Sequence, residues 1–197
     1  MSIMLAKLFD LFSAQRAPAG YRPGVTLELL RRNLGIHRFH LVETGRAEFD
    51  LGAAGLRVQV SERTQAQLLM HVVMTEFSLQ VPAFEQGNVH FDLHHTGSLK
   101  RTGIRCRYRS GDRTLFEAVS KRLLGDARLS AALMPLDFKH LSIEYALNGW
   151  TVTLEHMGGS EVVNRMPAFR RYVKFSSEQK VLLEHTLMAL QRVLLAR

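Results

Sequence analysis

The chain has 197 residues, 46% apolar and 22% charged, and 26 Lys plus Arg against 18 Asp plus Glu leave a formal charge of +8. These are ordinary globular proportions, and no run approaches the ~18 apolar residues of a membrane span. A single cysteine, Cys106, excludes an intrachain disulfide, while the positive balance favours anionic partners without bearing on fold.

Residues 3–15 read as a short apolar helix carrying Ile3, Leu5, Leu8, Phe9 and Phe12. Covering a core edge is one reading and lying on a membrane surface another, though Lys7 alone makes a poor basic face. Asp10 interrupts the apolar run that a secretory signal needs, so a cytoplasmic protein without a transmembrane segment is expected. Residues 17–24, with Pro18, Gly20, Pro23 and Gly24, read as a linker.

Thr26 is expected to cap a helix through Leu27, Leu30 and Leu34, with Gly35 just past its end. Strands follow at 38–43 and 46–51, turning at Thr44-Gly45. A Gly52–Gly55 turn then sets Phe49 opposite Val58, Leu51 opposite Leu56, Ala47 opposite Val60 and Asp50 opposite Arg57. Residues 64–81 read two ways. Thr64-x-x-Gln67 followed by Leu68, Leu69, Val72, Val73 and Phe77 fits a capped helix, whereas Val73, Thr75, Phe77, Leu79 and Val81 alternate as a strand. The β-branched content favours a strand over 72–81, followed by a loop over 82–88.

Residues 89–95 and 104–109 each alternate apolar with polar, putting His90, Asp92 and His94 on one side of the first run and Arg105, Arg107 and Arg109 on one side of the second. Asp112 or Thr114 starts a helix through Leu115, Val119 and Leu123, broken at Gly125, and a second helix at 127–133 stops before Pro135. The runs 141–147 and 150–154 flank Asn148-Gly149, the preferred pair for a type I′ hairpin turn. That turn sets Leu147 against Trp150, Tyr145 against Val152 and Ile143 against Leu154, on the buried face. A Gly158-Gly159 loop leads to strands at 161–166 and 170–174. Ser176-x-x-Gln179 is a capping box for a long final helix striped by Leu183, Leu187, Leu190 and Leu194.

The expectation is an α+β fold: mainly antiparallel sheet or sheets, with helices at the N-terminus, in the middle and at the C-terminus, in one domain over 1–197. The helices TLELLRRNLG and TLFEAVSKRLLG both begin Thr-Leu and end Leu-Gly, which suggests a duplication with half-domains at 24–111 and 112–197.

If 89–95 pairs with 104–109, the two polar rows share a face. Residues 96–122 carry a positive excess of six, so this is the most cationic region of the chain. Arg105, Arg107, Arg109, Lys100 and Arg101, with His90 and His94 beside them, are the candidate anion site, since guanidinium groups give paired donors to phosphate or carboxylate. The bland alternative is a solvated face that protects a sheet edge.

His90-x-Asp92-x-His94 is also the ligand set of a non-haem iron triad, but three ligands on one straight strand span ~13 Å and arginines would repel the ion. No metal or cofactor is therefore expected, and Gly158-Gly159-Ser160 lacks the lysine of a phosphate loop. The favoured function is a non-catalytic binding domain for an anionic partner, a phosphate-bearing polymer or ligand such as nucleic acid. The alternative is a pocket-forming scaffold for a small apolar ligand, its cavity lined by Met70, Met74, Met134, Met157, Met166 and Met188. A metal enzyme built on His90, Asp92 and His94 ranks below both.

The segments Tyr21-Arg-Pro-Gly24, Gly149-Trp-Thr-Val152 and Met166-Pro-Ala-Phe-Arg-Arg-Tyr172 resemble uncharacterised bacterial proteins grouped as a domain of unknown function. The resemblance implies a bacterial cytoplasmic protein, with no established activity and no site residues to carry over.

Overall fold

The computed structural model describes residues 20–36, 38–51, 56–66, 70–83, 85–98, 100–147 and 149–196, with Arg165 described through its backbone alone. The helix expected over 3–15, the turn at 52–55 and residues 67–69 and 148 lie outside the described residues. The fold is α+β. Four helices, α1 (Val25–Leu34), α2 (Arg113–Gly125), α3 (Ala127–Leu133) and α4 (Ser177–Leu195), accompany nine strands. The strands are β1 (Phe39–Glu43), β2 (Arg46–Leu51), β3 (Leu56–Ala66), β4 (Met70–Pro82), β5 (Val89–Thr96), β6 (Gly103–Gly111), β7 (Phe138–Ala146), β8 (Gly149–Arg165) and β9 (Ala168–Tyr172). They form one sheet in the order β1-β2-β3-β4-β8-β7-β5-β6, with β9 on the far end of β8.

Every described pairing is antiparallel. The core lies on one face, where Phe49, Val58, Phe77, Val152, Ile143 and Phe91 meet the helices. There α1 packs on β3, β4 and β8, α2 on β5 and β6, and α4 on β4 and β8, while α3 packs mainly on α4.

The β2–β3 register matches the expected pairs, from Ala47 with Val60 to Leu51 with Leu56. Residues 64–66 and 70–82 are strand, so the Thr64 capping-box reading gives way to the β-branched alternation.

The β7–β8 hairpin is a correction. Tyr145 pairs with Trp150, Ile143 with Val152 and Leu141 with Leu154, two residues away from the expected register, and Leu147 is fully exposed in the turn at φ 51° rather than buried against Trp150. Both registers keep the same apolar row inside. The observed one puts the two largest aromatic side chains together, ring centroids 4.9 Å apart, at the cost of a left-handed leucine.

The Gly158-Gly159 loop is a second correction. It is an irregular insert inside one long β8, with residues 157–160 opposing Met74 between the Thr75–His156 and Val73–Glu161 pairs. Gly159 sits at φ 86°, where a Cβ would lie 2.8 Å from both Leu30 Cδ1 and Thr75 Oγ1, so α1 and β8 approach this closely only with glycine there. The last strand is 168–172 rather than 170–174.

Thr26 does not cap α1. The N-cap is Gly24, and the capping group comes from β3: Glu62 Oε2 accepts from Gly24 N (2.9 Å) and Oε1 from Leu27 N (3.1 Å), while Tyr21 OH donates to Oε2 (2.6 Å). Burial and the Glu62 carboxylate together raise the Tyr21 phenol. Thr26 is instead buried two positions further on, its hydroxyl donating to Glu161. Helices α2, α3 and α4 start on Asp112, Asp126 and Ser176, each accepting the N–H three residues on. Only half of the Ser176–Gln179 capping box forms. The Gln179 amide turns away to accept from Asp137 N (2.8 Å) and donate to Pro135 O (2.9 Å), tying the loop after α3 to α4.

Candidate functional site

The polar rows of β5 and β6 do share a face. His94 lies opposite Arg105 and Asp92 opposite Arg107. A bulge then shifts the register, because His90 pairs with Ser110 and Phe91 with Tyr108, leaving Arg109 as the extra residue. On its other side β5 pairs with β7, which sets Ser142 beside Asp92 and Glu144 beside His90.

Asp92 is the hub, its side chain only 7% exposed. Arg109 donates to Oδ2, while Oδ1 faces His140 Nε2 at 3.4 Å and His90 Nε2 at 3.9 Å. The bulge thus turns Arg109 onto Asp92 and answers its charge. Arg101 is occupied as well, donating to Asp137 and to the Met134 carbonyl. Arg105, Arg107 and Lys100 are exposed and have no ion-pair or hydrogen-bond partner among the described residues, and His94 lies beside Arg105. Of the seven candidates, the structure therefore leaves three unanswered cations and one adjacent imidazole along the β6 edge.

His140, Ser142 and Glu144 were missed by sequence reasoning. Their own alternation marked a polar row, but only the β5–β7 pairing, some fifty residues apart in sequence, brings that row to Asp92.

Ser142 Oγ and His90 Nε2 are 2.8 Å apart, the separation of a nucleophile and its base. A working triad also needs an acid on the other ring nitrogen to orient the imidazole. Here the Asp92 carboxylate faces the same Nε2, so no relay forms. Among the described residues no group of three His, Cys, Asp or Glu side chains is placed to hold a metal ion.

Opposite this face, the apolar rows of the same strands turn to the helices. His95 Nε2 donates to the Leu133 carbonyl (2.9 Å) and the ring packs on Phe138, and burial lowers its pKa. Burial raises the Cys106 thiol, which removes the thiolate character a reactive cysteine needs. Tyr108 lies under Arg113, 4.4 Å from guanidinium to ring, so it offers no stacking surface on the basic face.

On β9, Arg170 has a structural role. Arg170 makes two bonds to the buried Glu161 (3.2 and 3.1 Å) and one to the Gly20 carbonyl. Of the six methionines, Met74 is buried, Met157 and Met166 are exposed, and Met188 lines a trough between α3 and α4, so they share no single cavity among the described residues.

No helix of the described chain is long and apolar enough to cross a membrane. Neither a curated protein nor a solved structure matches the chain. A family model does match it, over residues 32–194, from the last turn of α1 to the penultimate residue of α4, and the chain belongs to that family, the protein of unknown function DUF3156.

Proposed function

We propose that this is a non-catalytic binding domain of the bacterial cytoplasm, whose β5–β6 edge takes a phosphate-bearing polyanion. One observation carries the reading: Arg105 and Arg107 stand at adjacent same-face positions of an edge strand, exposed and without a counter-ion among the described residues. Same-face neighbours on a strand are about 7 Å apart, so each guanidinium reaches a separate phosphate, with Lys100 extending the row at the loop. Among the described residues no exposed aromatic accompanies them, which favours phosphates over bases and implies little sequence preference. Glu144 and Glu155 occupy the same face further into the sheet and keep an anion on the β6 side. The single cysteine fits a reducing compartment.

The test is titration of a fluorescent single-stranded oligonucleotide, and of heparin, at low salt. Binding is expected to weaken with salt at a log–log slope of about −2 for three phosphate contacts. Arg105→Glu with Arg107→Glu should weaken it at least tenfold, whereas Arg171→Glu with Lys174→Glu, exposed cations elsewhere, should change it less than twofold. Equal losses from the two pairs would reduce the attraction to diffuse net charge.

A further inference from the structure

The helix layer carries a second site on the opposite side of the sheet. A trough of about 650 Å³ runs between α3 and α4, a size usual for small-ligand sites. Its direction follows from the contacts at its two ends. Asp126, the cap of α3, pairs with Arg192 near the end of α4 (2.8 Å), and Pro135, just past α3, accepts from Gln179 at the start of α4. The two helices are therefore antiparallel, and the lining residues are ordered along them. Arg128 and Arg192 stand at one end, Ala131, Ala189 and Met188 follow, and Leu182 closes the other end. From Leu182 to Arg192 the helix rises about 15 Å.

Three features define what fits. The alanines leave the space between the helices unfilled, and Leu182 and Met188 give it apolar walls. The cations gather at one end, where the Arg128 guanidinium has no partner among the described residues. Among the described residues no carboxylate lines the trough. We propose that it binds a single-chain anionic amphiphile, the head group on Arg128 and the alkyl chain laid over Ala131 toward Leu182. An acidic amphipathic helix from a protein partner would need cations along both walls, whereas here only the exposed His185 lies between the charged end and Leu182. The site stands independently of the polyanion reading.

Calorimetric titration of delipidated protein with alkanoates of ten to fourteen carbons, below their micelle concentrations, tests the proposal against alkyltrimethylammonium ions of equal length. Alkanoates should bind at one site, tightening by about fourfold for each added buried methylene. The cationic series should bind at least tenfold more weakly. Ala131→Trp, an exposed position that fills the trough, should abolish alkanoate binding, and Arg128→Glu should reverse the head-group preference. Both variants are expected to keep the wild-type circular dichroism and melting temperature. The Arg105→Glu, Arg107→Glu pair should leave alkanoate binding unchanged. Equal binding of the two series, undiminished binding to Ala131→Trp, or saturable binding of an acidic helical peptide with none of the alkanoates would each overturn the assignment.

Discussion

At the β8–β9 end of the sheet, Arg170 lies against a carboxylate that is 3% exposed, and that carboxylate also holds Thr26 of α1. At the β6 edge, Arg105 and Arg107 are exposed and form no ion pair with a described carboxylate, although Asp92 lies opposite Arg107. Asp92 is already committed to Arg109. Arg170, which helps hold the helix layer on the sheet, is given its counter-ion by a neighbouring strand, whereas Arg105 and Arg107 are left bare. The bare ones are the better guide to function, because they do nothing for the fold that a neutral residue would not do.

The largest stability effect should come from breaking the buried pair. Arg170→Ala strands the Glu161 carboxylate with only the Thr26 hydroxyl, and loss of one partner of such a pair is expected to cost about 3 kcal/mol in urea unfolding. A loss under about 1 kcal/mol would remove the distinction between the two ends. Glu62→Gln should cost less, about 1–2 kcal/mol. The amide keeps one acceptor for the first turn of α1 but loses the charge that favours a helix N-terminus and the strong bond from Tyr21.

Acid should act through imidazoles at both ends of the sheet. His156 accepts from Gly158 N at Nδ1 (2.8 Å), so its Nε2–H donates to Gln179, and the ring is stacked on Phe175. Burial lowers its pKa, as it does that of His95. As pH falls below about 6.5 the unfolded chain takes up these protons before the folded one does, so stability declines with falling pH and levels off below the folded-state pKa values. Lower in pH, Glu28, held down to about 2 by its hydrogen bonds from Arg31 and Arg32, adds a loss that begins near pH 4.5. Urea midpoints measured from pH 7.5 to 5 should therefore fall, and a midpoint that rises on acidification would contradict the buried neutral imidazole.

Asp92→Asn sharpens the comparison from the other side. It should cost about 1 kcal/mol, since a half-exposed arginine loses its ion pair, yet it adds a third bare guanidinium to the edge. Oligonucleotide binding should tighten and its salt slope steepen by about 0.7. Unchanged binding would mean that Arg109 is held off the face by the bulge and not by Asp92.

Much of this was legible in local pattern. The alternation of 89–95 and 104–109 contained the basic face, and the Asp112 and Ser176 caps and the β2–β3 register followed from short-range chemistry. What the pattern could not give were the choices made between distant strands. Either register of the β7–β8 hairpin buries the same apolar row, so Tyr145 against Trp150 is decided by the packed core around them. The Arg109 bulge, the Glu62 cap of α1 and the arrival of His140 at Asp92 each depend on a partner far away in sequence.

The smallest effect is the most telling. Arg107 touches no described counter-ion, and Arg105 stands two residues away on the same face. Replacing Arg107 with alanine removes a repulsion from Arg105 and no ion pair, so stability should change by less than about 0.5 kcal/mol, with the sign favouring the variant at low salt. Added salt screens that repulsion, since the Debye length shrinks to ~3 Å at 1 M, and the difference should vanish there. The same substitution should weaken oligonucleotide binding severalfold, because one of about three phosphate contacts is gone. A side chain kept for solubility alone would show the salt-dependent gain without the binding loss. One kept for the fold would cost stability at every salt concentration. Urea unfolding at 20 mM and 1 M salt, set beside the oligonucleotide titration on the same preparation, separates these cases.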